Sequence, residues 1–215
     1  MLNNTQLEQA VRDELRFDPC VDDAGITAGT KDGVVSLAGY APSYSQRRFA
    51  AKAAQRVSGV RKVTNDIHVK LPASVKLTDQ EIAARANQSL AWDVSIPEHV
   101  KATVQGGIVT LTGEAPFQFQ RTAAERNISR LYGVTGVTNH IAIKPTSEPA
   151  AGTEANISKA LKRLAVEGQN VTVTADHGTV SLKGTVPNAY QRELAEHVAW
   201  SEPGVTKVND TLSIN

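Results

Sequence analysis

Three stretches of this 215-residue chain repeat one another without a gap. Residues 26–70, 100–144 and 171–215 align slot for slot. Gly33, Gly107 and Gly178 share one position, Gly39, Gly113 and Gly184 a second, and Gly59, Gly133 and Gly204 a third. A period of about 70 residues means that one small folding unit has been copied twice, so what all three copies keep is scaffold and what one copy owns is where individual function sits. A unit of that length buries only about 60% of its unfolded surface, which makes each copy marginal alone and favours contact between neighbours. The boundaries read from the pattern are 1–72, 76–145 and 152–215, with a Pro/Ala/Gly-rich linker over 145–152 that frees the third unit relative to the first pair.

Each copy opens with a helical pattern: Leu7, Val11 and Leu15; Ile82, Ala86 and Leu90; Ile157, Leu161 and Leu164. Thr78 with Glu81 reads as a capping box, and Thr5 with Glu8 as another. A hairpin follows, turning on Asp32-Gly33, Gly106-Gly107 or His177-Gly178, pairs that supply the positive φ of a two-residue turn. The returning strand alternates, as in Val35, Ser36, Leu37, and ends at a glycine followed three residues on by Pro42, Pro116 or Pro187. A second, alanine-rich helix is expected to bury Phe49, Ala50, Ala54 and Val57 in copy one, and Leu194, Ala195, Val198 and Ala199 in copy three. The last strand carries Ile67, Ile141 or Leu212. The order αββαβ, with a right-handed crossover between the last two strands, predicts an α+β fold: three tandem αββαβ domains, each a small mixed three-stranded sheet with two helices on one face.

Composition narrows the function classes. At 40% apolar and 21% charged residues the chain is an ordinary globular one, with no run near the ~20 apolar residues of a membrane span. A net charge of +1 argues against a nucleic-acid binder. Met1 opens onto a polar segment without the apolar core of a signal peptide, so the expected location is cytoplasmic, or periplasmic if a leader has been removed. The oligomeric state is not fixed by these features.

The run of a hairpin Gly, an alternating strand, Gly-x-x-Pro, a Gln-Arg helix start, an alanine-rich helix and Gly-Val-x-x-Val-x-Asn resembles the BON domain, a module of bacterial osmotically induced and nodulation proteins, three times over. Phe17-Asp-Pro and Trp92-Asp are similar to the family's end of the first helix, whereas the third copy has Ala165-Val-Glu-Gly there. The resemblance implies a non-catalytic bacterial module associated with osmotic stress and the cell envelope. Its implied partner is an anionic phospholipid surface or another protein. A relative joined to a LysM domain senses potassium, so the alternative is a soluble cytoplasmic osmotic-stress protein that binds a protein or a small cation such as potassium.

Catalysis finds no support: there is no GxSxG, Walker A, HExxH or GxGxxG run, the five histidines lack ligand spacing, and Cys20 is the one cysteine, so no metal and no cofactor are expected. The binding candidates are positively charged. Arg48, Lys52 and Arg56 recur at helical spacing, followed by Arg61 and Lys62, and form a basic stripe suited to anionic headgroups. The pairs Gln46-Arg47, Gln120-Arg121 and Gln191-Arg192 serve either as scaffold or as an anion or partner contact near a helix N-terminus. Trp92 is expected to lie as a lid on the core. Trp200, off the apolar stripe of its helix, is expected at an interdomain or partner contact.

Overall fold

The computed structural model describes residues 3–74, 77–146, 152–164 and 169–214. Unit one comprises α1 (Asn4–Phe17), β1 (Ile26–Lys31), β2 (Val34–Ala41), α2 (Tyr44–Arg56) and β3 (Lys62–Val69). Unit two has α3 (Asp79–Trp92), β4 (Lys101–Gln105), β5 (Ile108–Thr112), β6 (Glu114–Ala115), α4 (Gln118–Ile128), β7 (Gly136–Asn139) and β8 (Ala142–Ile143). Unit three has α5 (Thr153–Arg163), β9 (Gln169–Asp176), β10 (Thr179–Val186), α6 (Ala189–Trp200) and β11 (Lys207–Ile214).

The hairpin turns hold as expected, because Asp32 and Gly33 take φ of 51° and 78°, and Gly106 and Gly107 of 58° and 75°. They set the antiparallel register Thr30↔Val35 in unit one. The crossover through α2 then lays β3 parallel to β2, Leu37 opposite Asn65. β2 is therefore the central strand, and β10 plays the same part in unit three. In unit two the sheet is interrupted: β4-β5-β7 is three-stranded, and β6 and β8 continue as a separate parallel pair beyond Gly113.

Alternation on β2 sends Val35 and Leu37 inward, both with no exposed surface, and Ser36 and Ala38 outward. The inward set meets Leu7, Val11 and Leu15 of α1 and Ala50, Ala53 and Ala54 of α2. Each unit has its own core, and the opposite sheet face of unit one is open to solvent. Three expectations need correction. Asn3 and Gln6, not Thr5 and Glu8, form the capping box of α1: the Asn3 carboxamide oxygen accepts from the Gln6 amide at 2.8 Å and Gln6 Oε1 from the Asn3 amide at 3.0 Å, so the helix starts ahead of Thr5. Phe49 and Leu194 occupy one slot at the shoulder of their helices and line clefts between units, while Ala53 takes the core position. Leu164 is 49% exposed.

The three units meet at α2. Tyr44 at its start packs against the core of unit two, and its body runs beside α6 of unit three. The α2 backbone makes its closer approach to α6 and not to α4, the reverse of what the Pro/Ala/Gly-rich linker ahead of unit three suggests.

Candidate binding surface at the second helices

The repeated Arg of the Gln-Arg pair faces its own sheet. Arg47 Nη2 donates to the Asn65 carbonyl at 3.1 Å and Arg121 Nη2 to the Asn139 carbonyl at 3.2 Å. The amides answer: Asn65 Nδ2 donates to the Arg47 carbonyl at 2.9 Å and Asn139 Nδ2 to the Arg121 carbonyl at 3.1 Å. Unit three replaces the amide by a carboxylate, and Arg192 Nε reaches Asp210 Oδ2 at 2.6 Å. The partner lies eighteen residues downstream in every copy. Gln46 accepts from the Asp22 amide at 3.1 Å, and Gln120 donates to the Ser95 carbonyl at 2.9 Å, each tying down the loop that follows the first helix of its unit. Gln191 Oε1 is buried without a partner among the described residues. The corresponding loop of unit three, Ala165-Val-Glu-Gly, lies outside them.

The basic stripe is engaged rather than open. Arg48 lies 3.5 Å from Glu125 of α4, and Lys52 lies 3.6 Å from Glu193 of α6. Arg56 reaches back within its own unit to Glu14 and Asp18, both at 2.8 Å. The Arg56 guanidinium, together with the Cys20 amide, holds the Asp18 carboxyl below the usual aspartate range, and the two carboxylates raise the Arg56 pKa. Three of the five stripe cations thus carry carboxylate partners, two of them across unit boundaries, while Arg61 and Lys62 remain exposed at the start of β3. The sequence held a signal for this: Glu193 of copy three sits in the slot of Arg48, a charge reversal within one repeat position.

Exposed apolar surface lies elsewhere. Phe17 and Trp92, the last residues of α1 and α3, are 82% and 81% exposed, so Trp92 is no lid over a core. Each is followed by an aspartate turned inward, Asp18 to Arg56 and Asp93 to Ser95, which caps the helix end and leaves the ring outside. Trp200 packs against the core of unit three and donates Nε1–H to Glu196 at 3.4 Å, which accounts for it within its own unit. No group of three or more His, Cys, Asp or Glu is placed to hold a metal among the described residues, and none of their helices is long and apolar enough to cross a membrane.

Three separately cored αββαβ units joined in series, with polar latches inside each unit and ion pairs between units, define a tandem array of small α+β modules. The chain belongs to the BON domain family, whose profile matches residues 3–70, 78–145 and 150–215. It is similar to osmotically-inducible protein Y of Escherichia coli (strain K12), with 34% identity over 127 residues, 55% of this chain and 62% of the relative. The match thus spans less than two thirds of that relative. Among solved structures it aligns with CdsD, a structural protein of the type III secretion system of Chlamydia trachomatis, at 15% identity over 96% of this chain and 91% of the other with a TM-score of 0.25. It also aligns with the C-terminal domain of CdsD at 12% identity over 100% of both chains, TM-score 0.28.

Proposed function

We propose that this osmotic-stress-related BON protein is a non-catalytic docking protein that settles on an anionic phospholipid surface. The observation that carries the reading is the pair Phe17 and Trp92, large rings in the same slot of two units, 82% and 81% exposed at helix ends. An aromatic ring held outside its own core suits the headgroup boundary, where its body is buried and its edge stays wet. Exposed Arg61 and Lys62 add attraction to anionic lipid at about 1 kcal/mol per cation near the surface. Arg48, Lys52 and Arg56 contribute only by releasing their carboxylates.

That engagement favours a second reading, in which the same rings dock on another protein or the chain binds a small cation such as potassium. Cosedimentation separates the two. With anionic vesicles the chain is expected to pellet at low salt and to be released as salt rises, since exposed charges are screened over about 10 Å at 0.1 M. Phe17→Ser with Trp92→Ser should abolish pelleting without unfolding. Equal pelleting of this variant and the parent chain would remove the rings from the lipid contact, and no pelleting of the parent chain with anionic vesicles would favour the second reading.

A further inference from the structure

The cleft between α2 and α4 faces like charges toward each other. Arg48 and Lys52 come from α2, Arg126 from α4 and Arg130 from the turn that follows it, and together with Phe49 and Ser129 they line a cavity of about 80 Å³. Glu125 stands beside Arg48 and Glu193 beside Lys52, which leaves Arg126 and Arg130. Neither Arg126 nor Arg130 takes part in an ion pair among the described residues. Arg126 helps to hold the Asp93 carboxyl below its usual range, but that carboxylate is occupied first by the hydroxyl and amide of Ser95, at 2.6 and 3.0 Å.

The repeat explains how these arginines came free. Arg130 occupies the slot of Arg56, which in unit one is clasped by Glu14 and Asp18. In unit two the slot of Glu14 holds Ser89, and Asn127 rather than an arginine takes it, Ser89 Oγ donating to Asn127 Oδ1 and Asn127 Nδ2 donating to the Ser89 carbonyl. Asp93, in the slot of Asp18, is kept but takes the Ser95 amide and hydroxyl instead, so the clasp has been dismantled while its cation was kept. A cation retained after one carboxylate of its clasp is lost and the other is turned to Ser95, in a cleft already holding two more across a unit boundary, lacks an ion-pair partner of its own.

We propose that this cleft binds a phosphate group, which bridges units one and two. A phosphate accepts several charge-assisted hydrogen bonds from arginines in fixed geometry, and it can neutralise both helices at once. The cavity holds a group of that size, given that one water takes about 30 Å³ of liquid. The ligand is either a free phosphate or the headgroup of an anionic lipid. The site is separate from Phe17 and Trp92, so it goes beyond the docking reading.

Calorimetric titration of the full chain with inorganic phosphate at low ionic strength, alongside cosedimentation with phosphatidic acid vesicles and with neutral phosphatidylcholine vesicles, tests it. Arg126→Gln with Arg130→Gln should weaken binding by at least about tenfold, and Arg48→Gln on the facing helix should weaken it too. Arg61→Gln with Lys62→Gln should leave the phosphate titration unchanged, and so should Phe17→Ser with Trp92→Ser. Saturable phosphate binding lost in the Arg126/Arg130 variant identifies a free anion as sufficient. Pelleting with phosphatidic acid alone, lost in the same variant, identifies the headgroup. Both arginines are exposed, so the variant should keep its circular dichroism and melting temperature. Equal binding by the Arg126/Arg130 variant and the parent chain, an Arg48→Gln chain that binds as well as the parent, or no saturable binding in either arm, overturns the proposal.

Discussion

Arg47 and Asn65 hold each other twice, the guanidinium donating to the Asn65 carbonyl at 3.1 Å and the Asn65 amide donating to the Arg47 carbonyl at 2.9 Å. One pair of side chains thereby fixes the first turn of α2 to the middle of β3, and Asn65 Oδ1 also accepts from the Ile67 amide at 3.2 Å. The helix that carries every inter-unit contact described above is therefore set in place by its own sheet. Asn65→Ala keeps the backbone carbonyl that the guanidinium uses but removes the side-chain bonds to the Arg47 carbonyl and from the Ile67 amide, and is expected to cost about 1–3 kcal/mol in urea unfolding. Asn65→Asp, which copies the Arg192–Asp210 arrangement of unit three, should cost less than the alanine change. A loss no greater than about 0.5 kcal/mol for Asn65→Ala would show that the latch does not hold the helix.

The clasp of Arg56 on Asp18 gives unit one a pH dependence of known sign. The folded-state pKa of Asp18 is depressed below the usual aspartate value of about 3.9, so its contribution is present in full above that value and is lost as pH falls through the folded-state pKa. Asp18→Asn should lower the melting temperature at pH 7 and flatten the fall in stability below pH 4. Arg56 is 44% exposed, so the pair is discounted to about 1 kcal/mol or less. Parallel melting curves for variant and parent across pH 2–5 would contradict the assignment.

Gly39 meets the carbonyl of Gly25, where a Cβ would lie 2.1 Å from the oxygen at a φ of +112°. Gly39→Ala is therefore expected to cost more than about 2 kcal/mol, since both positive φ and steric conflict act on it. Gly29→Ala is the control, because nothing lies within 4 Å of its Cβ, and it should stay within about 0.5 kcal/mol. Chemical denaturation of the two variants side by side checks the contrast.

Local chemistry was the legible part of this sequence. Asp32-Gly33 announces a tight hairpin because only a few residue types accept two successive positive φ values, and alternation at Val35, Ser36 and Leu37 announces which face of β2 is buried. The order of strands follows from the handedness of the crossover. Phe49 was misplaced because helical periodicity gives the direction of a side chain and not whether its own sheet or a neighbouring unit lies there. The same ignorance of neighbours made Arg48 and Lys52 look solvent-facing, although their carboxylates, Glu125 and Glu193, lie in other copies. Trp92 looked like a core lid because aromatic residues usually are, yet the inward turn of Asp93 leaves the ring outside.

Lys52 and Glu193 tie unit three to unit one, and their side chains are 53% and 54% exposed. A pair that open to water is worth less than about 1 kcal/mol and weakens as salt screens it, whereas the apolar part of the same junction, Tyr190 and Leu194, does not respond in that way. Lys52→Glu places two carboxylates against each other and should enlarge the radius of gyration measured by small-angle scattering at low salt. Adding Glu193→Lys restores opposite charges and should bring the radius back. At 1 M salt, where screening acts within about 3 Å, the parent, single and double variants should converge. A single variant with the parent's dimensions at low salt would mean that the apolar contacts alone hold α6 against α2.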